Sequence, residues 1–266
     1  MEALLVQTDL SDYFREKEKN ILEILIMPAN EFKKEDYHRL RVEIKKLKAL
    51  LELINYCCEG FQKRKFFKPF AKIFNQSGKI RELQLEESVL ESYDVAKIEK
   101  YVIKVKKDIK KNQDSFQLLI SQKRKRTIKK TFKKMDPYPK ELPTIKVNAF
   151  IAKEKREINK LILQNSLKPL NLHDLRKIVK IDLYTKKSLH LGDKNELEIE
   201  NNFQELLGKW HDCRTINNLL EKSIVKKNIR PEELKQLLQI NEEIRANTRQ
   251  LSEEINNKVE FKTLFV

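Results

Sequence analysis

The sequence predicts an all-α protein, and three observations carry that expectation. Leu, Ile, Lys and Glu dominate, the composition of long helices. Only 4 glycines and 7 prolines are spread over 266 residues, too little turn chemistry for a sheet built from hairpins. Apolar residues recur at helical spacing along most of the chain, and no stretch sustains period-two alternation between turn residues. With 40% hydrophobic residues there is ample material for a core, in two ordinary domains or one large one.

The elements follow in order. From Ser11 to Met27 the pattern is helical, Ser11 and Asp12 offer an N-cap, and Pro28 ends the run. A second helix begins after Asn30 and extends to about Cys57, with Gly60 as its stop. A third runs from about Arg64 across Pro69 toward Tyr93, a proline being tolerated there only near the first turns. Residues 94–135 carry Val102, Val105, Ile109, Phe116, Leu119, Ile120 and Ile128 among dense lysines. Met135–Pro143 then holds Pro137, Pro139 and Pro143, so no helix continues and a linker is expected. Residues 136–146 thus divide a first helical bundle, 1–135, from a second, 147–266. In the second, helices are expected at Val147–Gln164, Leu172–Leu189, Glu196–Lys222 and Pro231–Lys258. Pro231 followed by Glu232 and Glu233 has the makings of a first turn.

Charge narrows the class of partner. Lys plus Arg number 56 against 40 Asp plus Glu, a formal charge of +16 that biases the protein toward polyanions. Cys57, Cys58 and Cys213 are odd in number and two are adjacent, so no disulfide framework is expected and a cytoplasmic setting fits. The N-terminus lacks the basic and long apolar regions of a secretory signal. The run Ile21–Met27 contains Glu23 and is too short to span a bilayer, so no membrane partner is expected.

Two segments repeat one another across the prolines. His38, Leu40, Arg41 and Lys45 recur as His173, Leu175, Arg176 and Lys180, an offset of 135 residues (173 − 38). Downstream, Gly78-Lys79-Ile80-Arg81-Glu82 is echoed by Gly208-Lys209-Trp210-His211-Asp212. Two ordered matches at near-equal spacing predict a duplicated helical unit. At about 100° per residue, His38, Arg41, Lys45 and Lys48 fall within roughly 80° of one helix face. Leu40, Ile44, Leu47, Leu51 and Ile54 form another side, which should face the core. In the second copy His173, Arg176, Lys180 and Lys187 share a face, while Leu183 stands where Lys48 stands in the first. The second face is therefore expected to be the weaker in charge.

This H-x-L-R-x-x-x-K pattern, used twice with a G-x-x-[RH]-[ED] element after each, resembles the CHAD family, the conserved histidine α-helical domain. The resemblance covers the chain from about Ser11 to the last helix. It implies two four-helix bundles related by pseudo-two-fold symmetry around a basic pore or groove that binds inorganic polyphosphate. The residues implied are His38, Arg41, Lys45, Lys48 and Arg81 in the first half, and His173, Arg176 and Lys180 in the second; Lys187, Lys209 and Arg214 extend the second set. Glu82 departs from the family's usual Asp, and His211 sits where its second element varies. Two roles fit His38 and His173: an imidazolium beside a polyanion, or a hydrogen bond across the bundle.

Other chemistries are less well supplied. No H-x-x-x-H or C-x-x-C spacing marks a metal site, and no cofactor is implied. There is no P-loop or nucleophile elbow. Glu196, Glu198 and Glu200 alternate, but Asn202 follows where a triphosphate-tunnel strand needs Lys. A non-catalytic, monomeric polyphosphate binder is the expectation. The competing reading is weak, non-specific nucleic-acid binding, for which Lys123, Arg124, Lys125, Arg126, Lys129, Lys130, Lys133 and Lys134 supply charge. A scaffold that merely buries partner helices would instead bind without regard to salt.

Overall fold

Pro28 and Gly60 place the first two helix ends. In the computed structural model, which describes residues 7–28, 31–163, 169–225 and 229–260, α1 (Ser11–Ile26) stops before Met27, whose ψ of 141° is the extended geometry that a following proline imposes. The cap is not the expected Ser11: Leu10 holds that position, and Asp9 accepts from the Ser11 N–H at 2.7 Å. α2 (Lys34–Cys57) opens with Asp36 accepting from the Lys33 N–H at 2.9 Å. Gly60 takes a φ of +78° beyond it, a left-handed turn at no steric cost. α3 (Lys63–Leu90) carries Pro69 in its second turn.

Residues 94–135 are broken where the pattern read as one stretch. A short 3-10 turn leads into α4 (Glu99–Leu119), and α5 (Gln122–Met135) restarts with the Ser121 hydroxyl accepting from the Arg124 N–H. The expected linker is packed rather than free. Leu142 is fully buried, β2 (Leu142–Pro143) pairs antiparallel with β1 (Gln7–Thr8), and the Leu10 N–H donates to the Pro139 carbonyl at 2.8 Å. Helix also begins earlier than expected, since α6 spans Thr144–Ile162 and absorbs residues 144–146. α7 (Pro169–Ser188), α8 (Lys194–Val225) and α9 (Pro231–Glu260) complete nine α-helices among the described residues. Asn30, Gln164 and the first six residues, on which sequence expectations also rested, lie outside them.

The all-α expectation holds, and the two-residue pairing of β1 with β2 is the only strand structure among the described residues. Consecutive helices pack in two series, α1 to α4 and α6 to α9, and the series meet where α2 touches α6 and α7 and α3 touches α8. The apolar core does not divide at the prolines. One cluster joins α1, α2, α3 and α5 to Val147 and Phe150 of α6, and a second lies among α6 to α9 around Trp210. A third joins Leu90 and the α4 face Val102, Val105 and Ile109 to Ile216, Leu237 and Ile240 of α8 and α9. These shared cores hold the two series against each other, and the seam between them carries the site.

Candidate functional site

Leu40, Ile44, Leu47, Leu51 and Ile54 are all fully buried, as the period of α2 requires. Their burial turns His38, Arg41 and Lys45 toward a cavity of about 380 Å³. α7 faces it from the other series in the same manner. Leu172, Leu175 and Val179 are buried, while Arg176, Lys180 and Tyr184 line the space. α3 contributes Gly78, Arg81 and Glu82, and α8 contributes Gly208, Lys209, His211 and Asp212. Both G-x-x-[RH]-[ED] elements therefore reach one cavity with both basic faces.

Arg41 explains the first glycine. Its Nη1 donates to the Phe74 carbonyl at 2.6 Å, and its guanidinium carbon lies 4.5 Å from the centre of the Phe74 ring. A Cβ on Gly78 would fall 2.5 Å from that Nη1, so the missing side chain is the space the guanidinium fills. Gly208 is not under the same demand, since the nearest atom to a Cβ there is Gln204 Nε2 at 3.7 Å.

Charge in the cavity is one-sided. Arg41, Lys45, Arg81, Arg176, Lys180 and Lys209 face Glu82, Glu205 and Asp212. Among the described residues none of these six cations has a carboxylate oxygen within 4.0 Å. Among the described residues the buried Arg176 Nε has no hydrogen-bond partner. Burial, reinforced by Lys180, Arg41 and Arg176, pushes the Lys45 ammonium down to about 6, against only partial relief from Asp212. Burial and Arg176 hold Lys180 down at about 8. Burial likewise lowers Arg41 and Arg176 from the usual guanidinium range. His211 is held neutral, at about 3, by burial and the cations around it. Burial raises the Asp212 carboxyl although four cations oppose the shift. Arg41, Lys45, Arg176 and Lys180 are thus partly withdrawn from water beside only three lining carboxylates, a charge balance that suits an anion with several negative charges.

A sequence profile of the CHAD domain matches residues 27–221. The chain belongs to the CHAD family. Its fold is similar to that of the CHAD domain from the plant Ricinus communis, with a TM-score of 0.75, 15% identity, and 97% of this chain and 94% of that one covered. It is also similar to PptA from Streptomyces chartreusis, with a TM-score of 0.70, 12% identity, and 94% and 97% covered. No curated protein matches by sequence.

This CHAD domain distributes the sequence-predicted residues unevenly. His38, Arg41, Lys45, Arg81, Arg176, Lys180 and Lys209 line the cavity together. Lys48 does not: it is exposed, with its Nζ 5.8 Å from the centre of the Phe67 ring. Leu183, its counterpart, is fully buried in the core. The expected imbalance between the halves therefore loses its basis. Lys187 is exposed and donates to Asn201 Oδ1 at 3.1 Å. Arg214 lies over the Trp210 ring at 5.4 Å and lines a different hollow with Asn217, Arg245 and Arg249. His173 stays outside the lining and rests against His211, ring centres 5.7 Å apart. Burial lowers the His38 and His173 imidazoles alike, with Arg81 adding to the first and Lys177 to the second.

Tyr184 and Asp212 were missed as site residues. Tyr184 sits one turn beyond Lys180 and two beyond Arg176, so the helical period alone marks it. Asp212 and His211 stand in the second glycine element at the places of Glu82 and Arg81. The two glycines give a first prediction. Gly78→Ala should displace the Arg41 guanidinium and weaken anion binding several-fold, with little loss of melting temperature because the displaced atoms end a flexible chain. Gly208→Ala should raise helix stability by about 0.5–1 kcal/mol and leave Arg41 in place. Thermal melts and anion titrations on the two variants check both.

Proposed function

We propose that this CHAD domain binds inorganic polyphosphate in the cavity among α2, α3, α7 and α8, and that it acts as a binder without covalent chemistry. One observation carries the reading: six Arg and Lys side chains from four helices converge there, and none has a carboxylate oxygen within 4.0 Å among the described residues. Polyphosphate repeats a negative charge at every phosphate. A linear chain can therefore answer cations on both series at once, and the second contact is made at high effective concentration. Arg176 and Arg41 offer planar forks to phosphate oxygens, while Lys45 and Lys180 act as point charges. A cavity of about 380 Å³ suits a narrow flexible chain better than a duplex, whose charges sit on the outside of a wide rod.

Competition at fixed ionic strength tests the reading. Long-chain polyphosphate bound to the domain should resist displacement by duplex DNA at equal phosphate concentration. Displacement of cavity-bound polymer by DNA under those conditions would make nucleic acid the better ligand for the cavity.

A further inference from the structure

α5 is a strongly cationic element that the cavity leaves unused. Its 14 residues include eight Lys or Arg and no Asp or Glu. Ile128, Phe132 and Met135 are fully buried, with Phe132 edge-on to Phe14 and Phe70, which fastens the helix to α1 and α3. On the opposite side Lys123, Arg126, Lys129, Lys130, Lys133 and Lys134 are exposed. The helical rotation spreads these six over an arc of about 140°.

None of the six has a carboxylate within 4.0 Å among the described residues. Glu18 of α1 feels Lys129 and Lys133, yet its own burial raises its carboxyl. Asp136, just past the helix, is paired with Lys140 at 2.9 Å. An ordinary solvated face interleaves signs, as α9 does when Arg245 and Arg249 both reach Glu242. Here Arg126 with Lys130, Lys129 with Lys133, and Lys130 with Lys134 set like charges one turn apart, which weakens a helix. α5 also falls between the two helix series, so among the described residues it has no counterpart in the second.

We propose that α5 is a separate docking surface for double-stranded nucleic acid, gripping the phosphate backbone without reading bases. Shape selects the partner. A helix with cations over a broad arc is convex, and a duplex groove is concave, with a charged backbone along each edge. The major groove, about 12 Å wide, admits an α-helix, and α5 is roughly 21 Å long at 1.5 Å per residue. A flat anionic bilayer would touch only the crest of the arc, and the apolar residues that could insert into it are buried in the core. Phe132, the only aromatic residue of α5, is buried and offers single-stranded bases nothing to stack on.

The test compares two double variants of the full chain, Arg126→Glu with Lys130→Glu on α5, and Arg176→Ala with Lys180→Ala in the cavity. Each is titrated with a fluorescent DNA duplex of mixed sequence, with long-chain polyphosphate and with phosphatidylserine vesicles. The α5 variant should bind duplex at least about tenfold more weakly, with the salt slope reduced by about two, and should hold polyphosphate within about twofold. The cavity variant should show the converse. Both α5 substitutions are exposed and create opposite-charge pairs with neighbouring lysines, so an unchanged or higher melting temperature certifies the fold. The proposal is overturned if wild-type chain fails to bind duplex or if the α5 variant binds it as well as wild type. It is also overturned if the cavity variant loses duplex equally, or if α5-dependent binding favours vesicles over duplex. Failure of polyphosphate to bind sinks the cavity reading alone.

Discussion

Replacing Arg176 and Lys180 together by glutamate should lower the affinity for long-chain polyphosphate by at least about 100-fold. Each cation stands to make a charge-assisted contact worth roughly 1.5–3 kcal/mol, and about 1.4 kcal/mol is a factor of ten in affinity. Reversal also sets two carboxylates against the approaching phosphates. The salt slope should fall by about one for each cation removed. Arg41 with Lys45 should behave alike, because Lys48 is exposed beside Phe67 and adds nothing to the first half's share of the cavity. The control is Lys48→Glu with Lys187→Glu, two exposed positions of the same helices that lie outside the lining. Isothermal titration at several salt concentrations separates the cases. If the control pair costs as much as the cavity pairs, binding is diffuse attraction to a basic surface and the cavity is irrelevant to it.

That control marks the boundary of what sequence could reveal. Helices were legible because a buried stripe repeats at 3.6 residues whatever it packs against, and Leu40, Ile44, Leu47, Leu51 and Ile54 show it plainly. The same period put His38, Arg41, Lys45 and Lys48 on one face, but it carries no information on where along that face a neighbouring helix opens a cavity. Lys48 lies ten residues, roughly 15 Å, beyond His38, at the level of Phe67 rather than of the glycine elements. Arg214 could have been excluded from sequence. The residues of α8 that line the cavity share one side, and Arg214 falls about 140° from its centre. The break between α4 and α5 was hidden because Ile120 and Ser121 interrupt the helix without a glycine or proline. The proline-rich segment misled in the other direction. Its prolines do end a helix, yet Leu142 beside them is apolar enough to be drawn into the core, and β1 then fastens the segment.

Polyphosphate binding should also be linked to proton uptake, with affinity falling as pH rises. In the cavity the Lys45 ammonium is held down to about 6 and that of Lys180 to about 8. Burial is the first cause for both, and Lys45 also faces Lys180, Arg41 and Arg176. A bound phosphate chain reverses the electrostatic part, because its charges favour the ammonium forms. The bound complex therefore holds protons that the free domain has released. Affinity is full below about pH 6, where both lysines are already charged, and declines above it by up to about tenfold per pH unit for each lysine that must take up a proton. Stability of the free domain runs the other way. Between the depressed folded values and the ordinary lysine range the unfolded chain carries more protons, so these two lysines make the fold more stable as pH rises. Calorimetry at neutral to mildly alkaline pH, in buffers of different ionisation enthalpy, should register net proton uptake. Lys45→Arg should bind at least as well while removing the Lys45 share of that uptake, since a guanidinium stays charged throughout the range. Flat affinity from pH 6 to 9 with no buffer dependence would mean that both lysines are charged before the anion arrives. In that event desolvated, partly neutral cations could not be what tunes the cavity.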